Sequence, residues 1–119
     1  MTNDDIARAF SRHRFEETYD HLADDVVWDL VGEARLEGRD AVVAACAASA
    51  AENAEVEVTW LRFVATGDGP VVAVDAIGRY AGADSLSVVS SCDIYEFRGG
   101  SVQTITSYAV EIDEAAARR

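Results

Sequence analysis

The second half of this 119-residue chain limits its fold most narrowly. From residue 54 onward, four segments at about 55–66, 70–81, 85–97 and 101–112 are rich in Val, Ile, Thr and aromatics. Turn-forming residues separate them: Gly67-Asp68-Gly69-Pro70, then Gly82-Ala83-Asp84, then Gly99-Gly100. β-Branched and aromatic side chains suit a pleated, half-buried surface, and connections this short force neighbouring strands to run antiparallel. Each segment is about twice the usual strand length of about 5–6 residues. Strands that long coil as their right-handed twist accumulates. The predicted unit is a curved meander whose concave side needs a cover.

The N-terminal third supplies it. Ile6, Ala9 and Phe10 recur at helical spacing behind Asn3-Asp4-Asp5, which can cap a helix. Phe15, Tyr19 and Leu22 form a second helical stripe that ends at Ala23-Asp24-Asp25. Val26 to Val31 is β-branched and aromatic and too short for a helix, so it reads as a buried strand. Gly32 to Gly38 reads as a loop. Arg39 to Glu52 reads as an alanine-rich helix with Val42, Val43, Cys46 and Ala50 inward. The expected class is α+β: a cone-shaped, mostly antiparallel sheet on three N-terminal helices. It forms one domain, 1–119, with residues 114–119 as a frayed polar tail.

Composition narrows the function classes. With 50% hydrophobic and 27% charged residues the chain is globular in character. It has no run of the roughly 20 apolar residues that span a bilayer, and its start is acidic where a signal peptide is basic. A cytoplasmic location is the expectation. The formal charge is −12 and there is no lysine, so nucleic acid and anionic membranes are poor partners and a small apolar molecule is a better one. Cys46 and Cys92 lie far apart without a C-x-x-C pair, and His13 and His21 are the only histidines. That is too little for a zinc site, so neither metal nor cofactor is expected. Gly67-x-Gly69 joins two strands and opens no helix, and Ser90-Ser91 has no nucleophile elbow.

Three aspartates stand inside apolar strand segments, where that residue is depleted: Asp29, Asp75 and Asp93. Alternation places Asp29 with Val27 and Val31, and Asp93 with Val89, Ser91, Tyr95 and Phe97. Asp75 has Arg79 on its own face, which favours an ion pair. Two carboxyls in one dry cone cannot both ionise cheaply, so their titrations separate. The carboxyl that stays ionised can then take a proton from a carbon beside a carbonyl. The one that stays protonated can donate to the enolate, and Asp29 and Asp93 are the two candidates for these roles. Tyr19, Val27, Val31, Val89, Ser91, Tyr95, Ile105 and Ser107 are expected to line the pocket.

The chain resembles the SnoaL-like branch of the nuclear transport factor 2-like superfamily. The resemblance rests on Leu22-Ala23-Asp24-Asp25-Val26-Val27-Trp28, on Leu36-Glu37-Gly38-Arg39-Asp40-Ala41-Val42, and on Cys92-Asp93-Ile94-Tyr95-Glu96-Phe97-Arg98-Gly99-Gly100 with Ser107-Tyr108 after it. It implies isomerase- or cyclase-type chemistry without a cofactor, or a non-catalytic binding module on the same cone. Similarity to ketosteroid isomerase puts Asp29 near that enzyme's base and Asp93 at its neutral acid. Ile6, Leu22 and Cys46 fall where that enzyme carries tyrosines. Limonene-type epoxide hydrolases have an arginine and an aspartate where this chain has Ala73 and Ser107. A scytalone-dehydratase-like site would draw on His13 and His21. The outer sheet face is expected to pair in a homodimer.

Overall fold

A computed structural model describes all residues, 1–119. Helix α1 spans Asn3–Ser11, a 3-10 helix spans Phe15–His21, and helix α2 spans Arg39–Glu52. The strands are β1 (Leu22–Leu30), β2 (Ala34–Glu37), β3 (Glu57–Ala65), β4 (Val71–Ala81), β5 (Leu86–Arg98) and β6 (Ser101–Ile112), followed by a short 3-10 turn at Glu114–Ala116. They form one sheet in the order β2-β1-β6-β5-β4-β3. Only β1 and β6 run parallel. The meander is therefore as the turns predict, and positive φ at both Gly99 (59°) and Gly100 (80°) makes the last turn the primed type that suits twisted strands.

Four details differ from the sequence reading. Thr2 caps α1: its hydroxyl accepts from the Asp5 amide, and the Asp5 carboxylate accepts from the Thr2 amide, both at 3.0 Å. The second helical stripe closes as a 3-10 helix and hands over to β1 at Leu22, four residues earlier than expected. Part of the Gly32–Gly38 loop is strand β2, paired antiparallel with β1. The tail does not hang free. Glu114 pairs with Arg79 at 2.8 Å and Arg118 with Asp75 at 3.4 Å, which brings it onto the outer face where Ile77 and Val88 are buried.

The core lies between the concave face and the helices. Ile6, Ala7 and Phe10 of α1, Phe15, and Val42 and Cys46 of α2 pack on Val26, Val72, Val74, Ala76, Tyr95, Val102 and Ile105. On α2 the inner face is narrower than expected, because Ala50 is exposed. No helix is long and apolar enough to cross a membrane.

Candidate functional site

Asp93 enters the concave side from the middle of β5. Its Oδ1 accepts from Ser107 Oγ at 2.6 Å and its Oδ2 from Ser11 Oγ at 2.8 Å. Each serine is itself supplied by a donor. The Trp28 indole N–H bonds Ser107 Oγ at 2.9 Å, and the Tyr95 hydroxyl lies 2.6 Å from Ser11 Oγ. Since Ser11 spends its only hydrogen on Asp93, Tyr95 must donate to Ser11. Two relays thus converge on one carboxyl from α1, β1, β5 and β6. Burial nevertheless outweighs them and raises the Asp93 pKa, while the serines and nearby His13 pull the other way.

Aromatic rings surround this carboxyl. Phe10 contacts Phe15, Trp28 and Tyr95 edge-on at centroid distances of 4.9, 5.0 and 5.9 Å. Towards the mouth of the cone, His13 stacks on Phe15 at 5.4 Å and on Tyr80 at 5.8 Å and meets the edge of Trp60 at 5.6 Å. Gly78 makes room for this wall, since a Cβ there would stand 2.9 Å from the Tyr80 ring and 3.0 Å from Trp60. Burial, helped by the Asp93 charge, pushes the Tyr80 hydroxyl up to about 12.

The hollow expected from the coil of the sheet is largely filled by these side chains. None of the five principal clefts is lined by Asp93. Two of them flank the His13–Tyr80 stack. One, of about 350 Å³, is lined by His13, Phe15, Tyr19, Ala47 and Ala50 among others. The other, of about 260 Å³, is lined by Tyr80, Val89, Ser87 and Val56 with two polar neighbours.

Asp29 is not part of this constellation. In β1 the inward residues are Val26 and Trp28, which join or pack on the core. Asp29 pairs across the sheet with Arg35 and Thr106, one position out of step with Trp28 and Ile105, so it projects from the opposite face. Val27 and Val31 share that outer face, and Val31 is 45% exposed. The grouping of Asp29 with these valines holds; its direction is corrected. Tyr95 and Ile105 are fully buried, so they support the site from within the core instead of lining an open pocket. Ser91 Oγ donates to the Ala76 carbonyl at 3.4 Å. Tyr19 and Val89 each line a cleft. Asp75 makes an ion pair, as its surroundings suggested, but with Arg62 at 2.9 Å in place of Arg79.

Ser11 and Tyr80 were not singled out by sequence as parts of the site, and His13 entered only through the scytalone-dehydratase comparison. Ser11 was legible: it stands four residues after buried Ala7 on the inner stripe of α1. His13 was not, because its position depends on how α1 ends. No three His, Cys, Asp or Glu side chains come together in a way that could hold a metal ion.

With this geometry in view, comparison with known proteins is specific at the family level. The model of the SnoaL-like domain matches residues 4–105. The chain belongs to the SnoaL-like domain family. Among solved structures, a nuclear transport factor 2-like protein of unknown function from Cytophaga hutchinsonii superposes with a TM-score of 0.77 at 27% identity, covering 89% of this chain and 94% of the other. A candidate polyketide cyclase from Xanthomonas campestris pv. campestris gives 0.67 at 20% identity, covering 87% and 83%. An epoxide hydrolase of the LEH-like type from M. tuberculosis gives 0.62 at 20% identity, covering 92% and 84%. No curated protein matches the sequence significantly. This SnoaL-like chain thus shares its fold with proteins of cyclase and hydrolase name.

Proposed function

We propose that this SnoaL-like protein binds a small apolar molecule bearing a carbonyl group, with Asp93 as the group that meets the carbonyl oxygen. The observation that carries this reading is a carboxyl held among aromatic rings, with two serines on it and no cation paired to it. In its protonated form, which burial favours, Asp93 can donate one hydrogen bond outward while its other oxygen keeps a serine. A donor aimed at a carbonyl oxygen in a water-poor site stabilises the enolate formed when the adjacent carbon loses a proton. Isomerases and aldol-type cyclases share that step. The ligand approaches through the His13–Tyr80 wall, between the two clefts that flank it.

The probe for binding is 2-naphthol, a flat phenol that mimics an enol and reports binding by its own fluorescence. Wild type is expected to bind it in the cone, and Asp93→Asn to weaken binding about tenfold or more, the effect of losing a hydrogen bond to a charged or acidic group. Equal binding by both proteins contradicts the reading.

A second reading, binding without turnover, is favoured by one feature: no principal cleft reaches Asp93. It predicts naphthol binding with no proton exchange.

The outer face supports pairing with a second copy of the chain. Val64, Tyr108 and Val110 are 48%, 49% and 63% exposed there, among charges of both signs such as Arg62, Asp75 and Arg79. A two-fold interface sets a patch against itself, which mixed charges tolerate. Sedimentation equilibrium is expected to give twice the chain mass, and a Val110→Arg variant the monomer mass. A wild-type monomer contradicts the pairing.

A further inference from the structure

The His13 ring stands between two other rings. Its plane lies 24° from that of Phe15 at 5.4 Å and 28° from that of Tyr80 at 5.8 Å, and Trp60 meets it edge-on at 5.6 Å. Two near-parallel faces with a third ring at the side make a seat for one flat ring. The chain fills that seat from an unusual position. Helix α1 ends in a Schellman turn: the His13 amide bonds the Phe10 carbonyl at 3.0 Å and the Arg14 amide bonds the Ala9 carbonyl at 2.9 Å. That turn puts His13 at φ 64°, the left-handed conformation usually given to glycine. It is the only residue other than glycine at positive φ in the chain.

Stacking alone holds the imidazole there. No side-chain hydrogen bond ties it to the chain, and the residue as a whole is exposed at the end of the helix, so the ring has a way out to water. The ring also divides space. His13 and Phe15 line the cleft of about 350 Å³, and Tyr80 lines the cleft of about 260 Å³ on the other side of the stack. Moving the imidazole out leaves Phe15 and Tyr80 facing each other across a slot between the two clefts, which together reach the size of small-molecule sites. The small side chains of Ala47 and Ala50 leave width there for a second, fused ring. Burial lowers the His13 pKa, against the opposing pull of the Asp93 charge, so the seat favours an uncharged occupant.

We infer that the His13 ring is the built-in occupant of a ligand seat, and that a flat, uncharged aromatic molecule of one or two fused rings displaces it and stacks between Phe15 and Tyr80. Binding is an exchange of one ring for another. The incoming ring regains the two stacking faces that the imidazole gives up. Its fused second ring covers apolar surface of the larger cleft that the imidazole leaves bare. Wild type therefore binds with an affinity reduced to the fraction of molecules in which the seat is empty. Asp93 lines neither cleft, so the seat requires nothing of the carbonyl-binding reading.

The test is an NMR titration with indole at neutral pH. In wild type the His13 ring protons lie over two aromatic faces and are expected to resonate upfield of free histidine. They return towards the free position as indole binds, while indole protons gain nuclear Overhauser contacts to Phe15 and Tyr80. His13→Gly suits the left-handed turn and empties the seat, so it is expected to bind indole about tenfold more tightly, the factor that two ring stacks supply. His13→Asn tolerates the same φ and is expected to gain as much, which assigns the gain to the missing ring and not to a looser helix end. Saturation with indole that leaves the His13 ring protons in place overturns the seat. So does binding by both variants no tighter than that of wild type, or no indole binding by any of the three proteins. The Asp93 reading is decided separately, by 2-naphthol and Asp93→Asn, so either can fail alone.

Discussion

Asp75 and Asp93 sit on adjacent strands, β4 and β5, and project from opposite faces of one sheet. Asp75 faces outward and is met by Arg62 at 2.9 Å and Arg118 at 3.4 Å. Asp93 faces the cone, has no ion-pair partner, and is met by two serine hydroxyls backed by Tyr95 and Trp28. On a face open to water a carboxylate is easily neutralised by a long, flexible arginine, and the pair adds little. Inside, the same group is held by short, fixed hydroxyls at a raised pKa. The outer arrangement is an ordinary surface ion pair. The inner one keeps a carboxyl ready to gain or lose a proton.

The contrast can be broken from either side, beginning with packing. Ile105→Ala, under the Asp93 network and fully buried, is expected to cost about 2–5 kcal/mol in urea unfolding. Val110→Ala, on the outer face of the same strand, is expected to stay within about 0.5 kcal/mol when unfolding is followed at protein concentrations low enough to keep the chain monomeric. Comparable losses would mean that the outer face is as tightly covered as the core. Ser107→Ala removes a donor from Asp93 and the acceptor of the Trp28 indole, and is expected to cost about 1–3 kcal/mol at neutral pH.

The pH dependence has a definite sign. Because the folded chain holds the Asp93 proton more tightly than the unfolded chain, wild type loses stability as pH rises from about 4 through the folded pKa. Asp93→Asn lacks this loss, so its melting temperature relative to wild type should climb over that window; a flat difference would contradict the raised pKa. The smallest effect belongs to the outer face. Asp75→Ala is expected to cost about 0.2–1 kcal/mol, reduced by added salt.

The long strands and their turns were legible because β-branched runs bounded by glycine leave few alternatives. Strand β2 was not, since four exposed and half-exposed residues carry no apolar pattern. Asp93 was legible as inward because Tyr95 shares its face. Asp29 was misdirected because β1 is apolar on both sides, with Val26 and Trp28 against Val27 and Val31, and a shift of one residue exchanges the faces. The role of the Arg12–Arg14 segment is set by the way α1 terminates, which hydrophobic periodicity does not report.

The most direct measurement is the titration of the Asp93 side-chain carboxyl carbon by NMR, with and without 2-naphthol. A midpoint above the ordinary aspartate value of 3.8, moving when the phenol is added, is the predicted result. A midpoint at or below that value, indifferent to the phenol, would contradict a poised acid in the cone.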